Sequence, residues 1–418
     1  MPDAVIVAAT RSPIGRAFKG SLRTIRPDEL TRQVVAAALA QVPALRPETL
    51  DDLLLGCGRP GGEQGFNMGR VVSVLLGTDS VPATTVTRYC ASSLQTTRMA
   101  LHAIRAGEGH AFVSAGVECV SRSRLGSSDN PPIDTGADPL ERTVNPWTNP
   151  VFAEAKARSA ARARDGAQWA DPRIAGELPD VYLAMGQTAE NVAGLCGVSR
   201  HDQDEFAVRS QNLAERAADE GVWAREITPV TLPDGSVVTD DDGPRRGVTY
   251  DGVAALPPVF RPGGTVTAGN CCALNDGAAA VVVTSDRRAA ELGLTPLARI
   301  VSTAVSSVSP EIMGLGPVEA TRRALHLAGL TIGDIDLVEL NEAFAAQVLA
   351  CQRELGIDME RLNVRGGAIA LGHPFGMTGA RITTTLVNAL QARDGQFGLE
   401  TMCVGGGQGM AMVIERLS

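Results

Sequence analysis

A cysteine set where a strand gives way to a helix is the first feature of this sequence that could do chemistry. Thr84-Thr85-Val86 reads as a strand, and a helix follows from about Ala91 to Arg105. Cys90, in the block Thr87-Arg88-Tyr89-Cys90-Ala91-Ser92-Ser93-Leu94-Gln95, therefore falls at a helix N-terminus. Unpaired N–H groups and the helix dipole favour a thiolate there, and predict a thiol pKa below the usual ~8.5. The small residues Ala91, Ser92 and Ser93 leave room for a substrate. A lone cysteine is more often a buried structural residue, so Cys90 gains meaning only from partners elsewhere in the chain.

Three further blocks supply candidates. From Arg365 to Ala380, five glycines surround His373. Pro374 keeps that histidine out of a helix interior, and a helix is expected from Arg381 to Gln391. A histidine at such a turn can act as base toward a thiol. The competing reading of so many glycines is a phosphate cradle, but the G-x-x-x-x-G-K-[ST] and G-x-G-x-x-G patterns are absent. In Met402-Cys403-Val404-Gly405-Gly406-Gly407-Gln408-Gly409-Met410 a strand ends in a cysteine and a glycine loop. Such a loop is either a plain tight turn or a source of free N–H groups for an oxyanion. Leu340-Asn341-Glu342-Ala343-Phe344-Ala345 follows a strand. Asn and Glu there suit the crevice at the carboxyl edge of an open α/β sheet, although Asn341 could equally cap a helix.

Short β-rich runs alternate with Ala-rich helical patterns, which argues for α/β layers and a largely parallel sheet. Val5–Ala9, Leu53–Gly56 and Ala111–Ala115 read as strands, and Asp28–Gln41 as a helix with Leu30, Val34, Val35, Ala38 and Leu39 on one face. The second half repeats the first: Pro27-Asp28-Glu29-Leu30-Thr31-Arg32 then Leu50-Asp51-Asp52-Leu53 is echoed by Pro317-Val318-Glu319-Ala320-Thr321-Arg322 then Ile335-Asp336-Leu337-Val338. Between the halves, about 121–273 is rich in Pro, Gly and Asp, as in Asn130-Pro131-Pro132, Asn145-Pro146-Trp147 and Asp240-Asp241-Asp242. Helical stretches near Phe152–Asp165 and Ser199–Glu220, with Trp147, Trp169, Tyr182, Trp223 and Tyr250 as apolar anchors, make it a folded cap over a site rather than a linker. The expected division is 1–120, an N-terminal half; 121–273, the cap; 274–295, a return to the first half; and 296–418, the C-terminal half.

Composition narrows the function. The 418 residues carry a net charge of −9, which favours neither nucleic acid nor an anionic membrane. Lys19 and Lys156 are the only lysines, so anion recognition falls to arginine and backbone N–H groups. No apolar run reaches the roughly 18 residues of a membrane span, and Met1–Val7 lacks the form of a signal peptide. The eight cysteines are accordingly expected as thiols in a reducing cytoplasm, with Cys57, Cys119, Cys196 and Cys351 as small buried hydrophobes. No C-x-x-C pair occurs and the five histidines are scattered, so no metal site is expected.

Together the four blocks resemble the thiolase family in the same order: the nucleophile block, N-E-A-F, G-G-x-x-x-x-G-H-P-x-G and C-x-G-G-G-x-G. Arg11-Ser12-Pro13-Ile14-Gly15, Met185–Ala193, Gly264–Asn270 and Leu274–Ala278 extend the likeness over essentially the whole chain. The resemblance implies two similar α/β halves in an αβαβα core with an inserted cap, and a homodimer or homotetramer. It implies CoA-dependent cleavage of 3-ketoacyl-CoA, with coenzyme A as substrate and no other cofactor. By the same resemblance Cys90 is the acylated nucleophile, His373 takes its proton and Cys403 is the second acid/base. Asn341 holds a water that, with His373, faces the thioester oxygen, and the N–H groups of Cys90 and Gly405 form a second oxyanion hole. Met185, Arg245, Cys272, Ala343 and Phe344 fall where the family contacts coenzyme A. Departures from biosynthetic members are Ala184 where those have His, Cys272 where Ser is common, and a longer stretch from Ser121 to Asp180. They favour a degradative enzyme of fatty-acid or steroid side-chain β-oxidation, with a possible β-oxidation partner enzyme. The rivals are a biosynthetic acetoacetyl-CoA thiolase, a decarboxylating ketosynthase and a non-catalytic scaffold subunit. A ketosynthase normally pairs its cysteine with two histidines, and here Cys403 stands in one of those places.

Overall fold

The apolar run that begins at the N-terminus forms a strand, Ala4–Arg11, buried along its entire length. Alternate residues feed different cores: Ala4 and Ile6 join one apolar cluster, Val5 and Val7 another. A strand covered on both faces is the mark of a layered α/β protein. The computed structural model describes residues 1–125 and 148–418. The turns expected at Asn130-Pro131-Pro132 and Asn145-Pro146-Trp147 lie outside the described residues.

The strands are β1 (Ala4–Arg11), β2 (Gly15–Arg16), β3 (Asp52–Cys57), β4 (Ala83–Val86), β5 (Ala111–Cys119), β6 (Val230–Thr231), β7 (Val237–Val238), β8 (Asn275–Ser285), β9 (Ala298–Ser307), β10 (Leu337–Leu340), β11 (Phe397–Val404) and β12 (Gln408–Arg416). All but the β6–β7 hairpin join in the order β10-β11-β12-β9-β1-β8-β5-β3-β4, with β2 beside β8. Either side of the β1–β9 contact the order repeats. β1-β8-β5-β3 and β9-β12-β11-β10 each run antiparallel, antiparallel, parallel. The two repeats meet edge to edge where β1 pairs with β9, at Val5–Arg299 and Ile6–Ala298. The helices repeat too: Pro27–Ala40, Met68–Leu75 and Ser92–Ala106 correspond in order to Gly316–Ala328, Ala345–Leu355 and Thr378–Arg393. The sheet is mixed, because the return strand of each repeat runs against its neighbours.

Three apolar clusters separate five layers. Val34, Val72, Leu55 and Val282 pack the outer helices of the first repeat on its strands. Val318, Val348, Val338 and Val413 do the same in the second. Between the two sets of strands, Leu94, Ile104, Ile382 and Leu386 of the Ser92–Ala106 and Thr378–Arg393 helices pack against Val281 and Met412. These central helices meet at their N-terminal ends. The Ala380 N–H donates to Ser93 Oγ at 2.9 Å, and a Cβ placed on Gly379 would lie 2.3 Å from the Leu94 nitrogen. Gly379→Val is thus expected to destabilise the fold by roughly 3 kcal/mol or more, since backbone rather than a flexible side chain fills the space. A urea midpoint within error of wild type would contradict this.

The Thr378–Arg393 helix starts three residues before the expected Arg381, because Thr378 can turn its hydroxyl back onto the Pro374 carbonyl at 2.8 Å. The described part of the insertion holds the helices Ala153–Asp165, Met185–Cys196, Arg200–Asp219 and Tyr250–Ala254. Of the expected anchors, Trp223 is buried beneath the Arg11 guanidinium, 5.4 Å from its ring. Tyr182 and Tyr250 instead remain exposed. One tie of the insertion to the core is a carboxylate, Glu311, on the Pro310–Leu315 turn. Its Oε2 accepts from Arg162 Nη1 and Trp169 Nε1, each at 2.8 Å, and its Oε1 from the Asp180 N–H at 2.9 Å.

Candidate active site

The turn that carries Cys90 is strained. It is a single 3-10 turn, Tyr89–Ala91, ahead of the Ser92–Ala106 helix, and Tyr89 takes φ +43°, rare for a bulky residue. The Ser92 hydroxyl braces it, donating to the Tyr89 carbonyl at 2.6 Å while accepting the Arg88 N–H at 2.9 Å. Arg88 then reaches Gln408 Oε1 at 2.7 Å, tying the turn to the first residue of β12. Such a constraint holds the thiol forward, into the seam between the repeats.

One expectation is reversed. Burial pushes the Cys90 thiol up to about 12 rather than below its ordinary value. The N–H groups of Gly405 and of Cys90 itself face the sulfur and pull the other way, as does Arg59, while the charge of Glu118 adds to the rise. The helix proper begins two residues beyond Cys90, so its dipole offsets little of the desolvation. The resting group is a thiol and needs a base.

His373 stands in the equivalent turn of the second repeat, ahead of the Thr378–Arg393 helix. It is buried, with Nδ1 2.6 Å from Thr378 Oγ1 and Nε2 3.3 Å from Asn341 Nδ2. Its N–H donates to Asn275 Oδ1 at 3.0 Å. Gly372, just before it, takes φ +116°, and a Cβ there would fall 2.5 Å from the same Asn275 amide. Burial, with the nearby Arg381 charge, lowers the His373 pKa to about 3. The neutral, base-competent ring therefore persists on the acid side of the usual histidine range. Iodoacetamide inactivation of Cys90 should show no inflection near pH 6.5 between pH 5 and 8, and a clear one there would place His373 in contact with water. Stability follows the same sign. The unfolded ring titrates near 6.5, so the contribution of this buried neutral group is full above that pH and is lost as pH falls toward 3, about 5 kcal/mol in all.

Cys403, next to last in β11, is fully buried and paired in register with Gly409. Burial lifts its thiol well above the ordinary range, and the sulfurs of Cys90, Cys351 and Cys272 push the same way. Three thiols, Cys90, Cys272 and Cys403, thus share one neighbourhood. The glycine loop is both the hairpin turn between β11 and β12 and a donor, since the Gly405 N–H faces Cys90. Asn341 does not cap the next helix, which begins at Ala345 after Phe344. Its Oδ1 is buried without a protein partner, the state of a group that offers one more hydrogen bond to the site. Its neighbour Glu342 has a structural task, accepting from Ser210 Oγ at 2.6 Å, Asn363 Nδ2 at 2.8 Å and the Ile369 N–H at 3.1 Å.

The remaining predicted residues divide between two features. Arg245 lines a cavity of about 340 Å³ together with Arg16, Gln211, Cys271, Asn275 and Gly372, the residue before His373. Ala343 and Phe344 pack with Cys403, Ala189, Val266 and Met313 in an apolar cluster against which Met185, Phe260 and Cys271 also rest. The Cys272 N–H donates to the Ala343 carbonyl at 3.1 Å, and Cys271 touches both cavity and cluster. Cys57, Cys119 and Cys351 are buried as expected, whereas Cys196 is only half-buried because it ends a surface helix. Sequence reasoning missed Glu118. Its buried carboxylate accepts the Gly58 and Gly376 N–H groups at 2.8 and 3.0 Å and the Gln64 amide at 3.0 Å, tying the turn after His373 to β3 and β5. A lone acid in the apolar run Ala111–Cys119 was its one signal. Among the described residues no group of three or more His, Cys, Asp or Glu could hold a metal ion, and no helix is long and apolar enough to cross a membrane.

The repeated strand order, with a cysteine at one central helix head and a histidine at the other, defines a duplicated, layered α/β enzyme. Comparison with known proteins specifies it. The thiolase N-terminal domain matches residues 4–287 and the thiolase C-terminal domain residues 294–416. The chain is 42% identical to the 3-ketoacyl-CoA thiolase of Bacillus subtilis (strain 168), over 99% of this chain and 100% of the relative. It is also 42% identical to the 3-oxoadipyl-CoA/3-oxo-5,6-dehydrosuberyl-CoA thiolase of Escherichia coli (strain K12), over 100% of both. The fold superposes on the dimeric peroxisomal thiolase of Saccharomyces cerevisiae with a TM-score of 0.86, at 33% identity, covering 100% of this chain and 98% of that one. This protein belongs to the thiolase family, as the motif blocks indicate.

Proposed function

We propose that the protein cleaves 3-ketoacyl-CoA with coenzyme A through an acyl group carried on Cys90. The observation that carries this reading is the meeting at Cys90 of the Gly405 N–H and the Cys403 thiol, with the turn just after His373 packed on the Cys90 turn and the two ring nitrogens of His373 contacted by Thr378 and Asn341. His373 takes the Cys90 proton as the sulfur attacks the 3-keto carbon, and the N–H groups of Cys90 and Gly405 receive the oxyanion. Breaking the bond between C2 and C3 leaves the enolate of acetyl-CoA. Cys403 protonates its C2, while the thioester oxygen accepts from the protonated His373 and from a water held by Asn341. The Cys90 acyl group then passes to the sulfur of a second coenzyme A, whose thiol proton returns to Cys403, and the Cys90 thiolate released takes back the proton held on His373. Protons balance over the cycle.

The cavity beside Arg245 is assigned to coenzyme A, and the apolar cluster of Met185, Phe260, Met313 and Phe344 to the acyl chain. An apolar cluster suits contact with an uncharged chain better than with one ending in a carboxylate, which favours the aliphatic substrates of a role such as β-oxidation. The partner chain is a second copy. β4 is the last strand on its side of the sheet, and Phe66 beside it is 89% exposed, with Val74, Leu75 and Tyr89 also exposed. An open edge flanked by large apolar side chains invites pairing, and the yeast relative is named as dimeric. The test is thiolysis by free coenzyme A across acetoacetyl-CoA, longer aliphatic 3-ketoacyl-CoAs and 3-oxoadipyl-CoA. Rates that rise with acyl length support the proposal. Activity confined to acetoacetyl-CoA favours the short-chain biosynthetic reading, and no activity on any of them removes it.

A further inference from the structure

The hydroxyl of Thr378 has one proton, and two groups lie where it could go. Oγ1 is 2.8 Å from the Pro374 carbonyl and 2.6 Å from His373 Nδ1. If the hydroxyl donates to Nδ1, its bond to Pro374 is forfeited. If it donates to Pro374, a lone pair of Oγ1 is free to accept from Nδ1–H, and both contacts are hydrogen bonds. The second arrangement makes one more bond in a site shielded from water, where an unmade bond is costly. It also leaves a lone pair on Nε2, which is what the Asn341 Nδ2 donor at 3.3 Å requires. The Asn341 Oδ1, without a protein partner, then faces the site.

We infer that Thr378 is a positioning residue for catalysis: its hydroxyl holds His373 in the Nδ1–H tautomer and turns the basic Nε2 toward the reacting groups. The backbone supports this. Thr378 is the first residue of a central helix, and Gly379 and Ala380 after it are locked against Leu94 and Ser93, so Oγ1 has a fixed origin. Histidine and hydroxyl are therefore set by the same contact between helix heads that brings Cys90 to them.

The inference rests on the proposed role of His373, and its test separates the two. In 15N-histidine-labelled wild-type protein at pH 7.5, the signals absent from His373→Gln should show a protonated Nδ1 and an unprotonated Nε2. The opposite pattern overturns the inference whatever the protein's activity. Kinetically, Thr378→Val, which keeps shape and loses the hydroxyl, should lower kcat roughly 100-fold with KM for coenzyme A changed by no more than about twofold, and Thr378→Ser should recover most of the rate. A valine variant that folds and turns over at the wild-type rate, or a serine variant as slow as valine, overturns it. Should the valine variant fail to fold, the spectrum of the wild type still decides. Wild-type protein without thiolase activity would sink the proposed function and leave the tautomer assignment standing on its own result.

Discussion

Cys90→Ala takes thiolysis of 3-ketoacyl-CoA at least about 10⁴-fold below wild type while the fold stands. On the proposed mechanism the attacking atom is gone, and neither Cys403 nor Cys272 lies on the 3-10 turn where the N–H groups of Cys90 and Gly405 gather. Cys90 sits in a turn braced by Ser92 and Arg88 rather than by its own side chain, so losing the sulfur costs little packing. Mass spectrometry gives the second readout. Wild-type protein mixed with acyl-CoA gains the mass of one acyl group on the Cys90 peptide, and the variant gains none. Residual turnover above about 1% of wild type would show that the acyl group is carried elsewhere.

Cys403→Ala should be nearly as severe in turnover, with a loss on the order of 10³-fold, but should differ in kind. On the proposed mechanism it removes the proton source for the enolate and leaves the acylated residue in place. Iodoacetamide should still modify Cys90 in this variant, whereas exchange of the C2 protons of acetyl-CoA with deuterated water, a direct view of the acid/base step, should stop. Exchange at the wild-type rate would assign that proton to another group. Because β11 is buried on both faces, a urea midpoint measured in parallel accounts for the small cavity the change leaves.

What could be seen in the sequence follows from what chemistry and backbone geometry demand of residue type. Cys90 between a strand and a helix, His373 fenced by Pro374 and glycines, and the Cys403 strand ending in Gly405-Gly406-Gly407 all depend on short spacings. The repeated helix-then-strand order was visible for the same reason. Long-range effects were not. Nothing near Cys90 in sequence reveals that burial outweighs the helix terminus and raises its thiol. The carboxylates of Glu118 and Glu311 bind partners 54 or more positions away, so neither role has a local signature. Thr378 carries no sign of its own in the sequence, because the ring it contacts lies five positions earlier.

The matched helix heads carry a consequence for how such a site can arise. A single repeat pairing with its own copy would be bound by two-fold symmetry to present the same residue at both heads: two thiols or two imidazoles. Joining the copies in one chain lifts that constraint. One head can become the nucleophile and the other its base, and the seam becomes a polar, directional site from an arrangement that began without a direction.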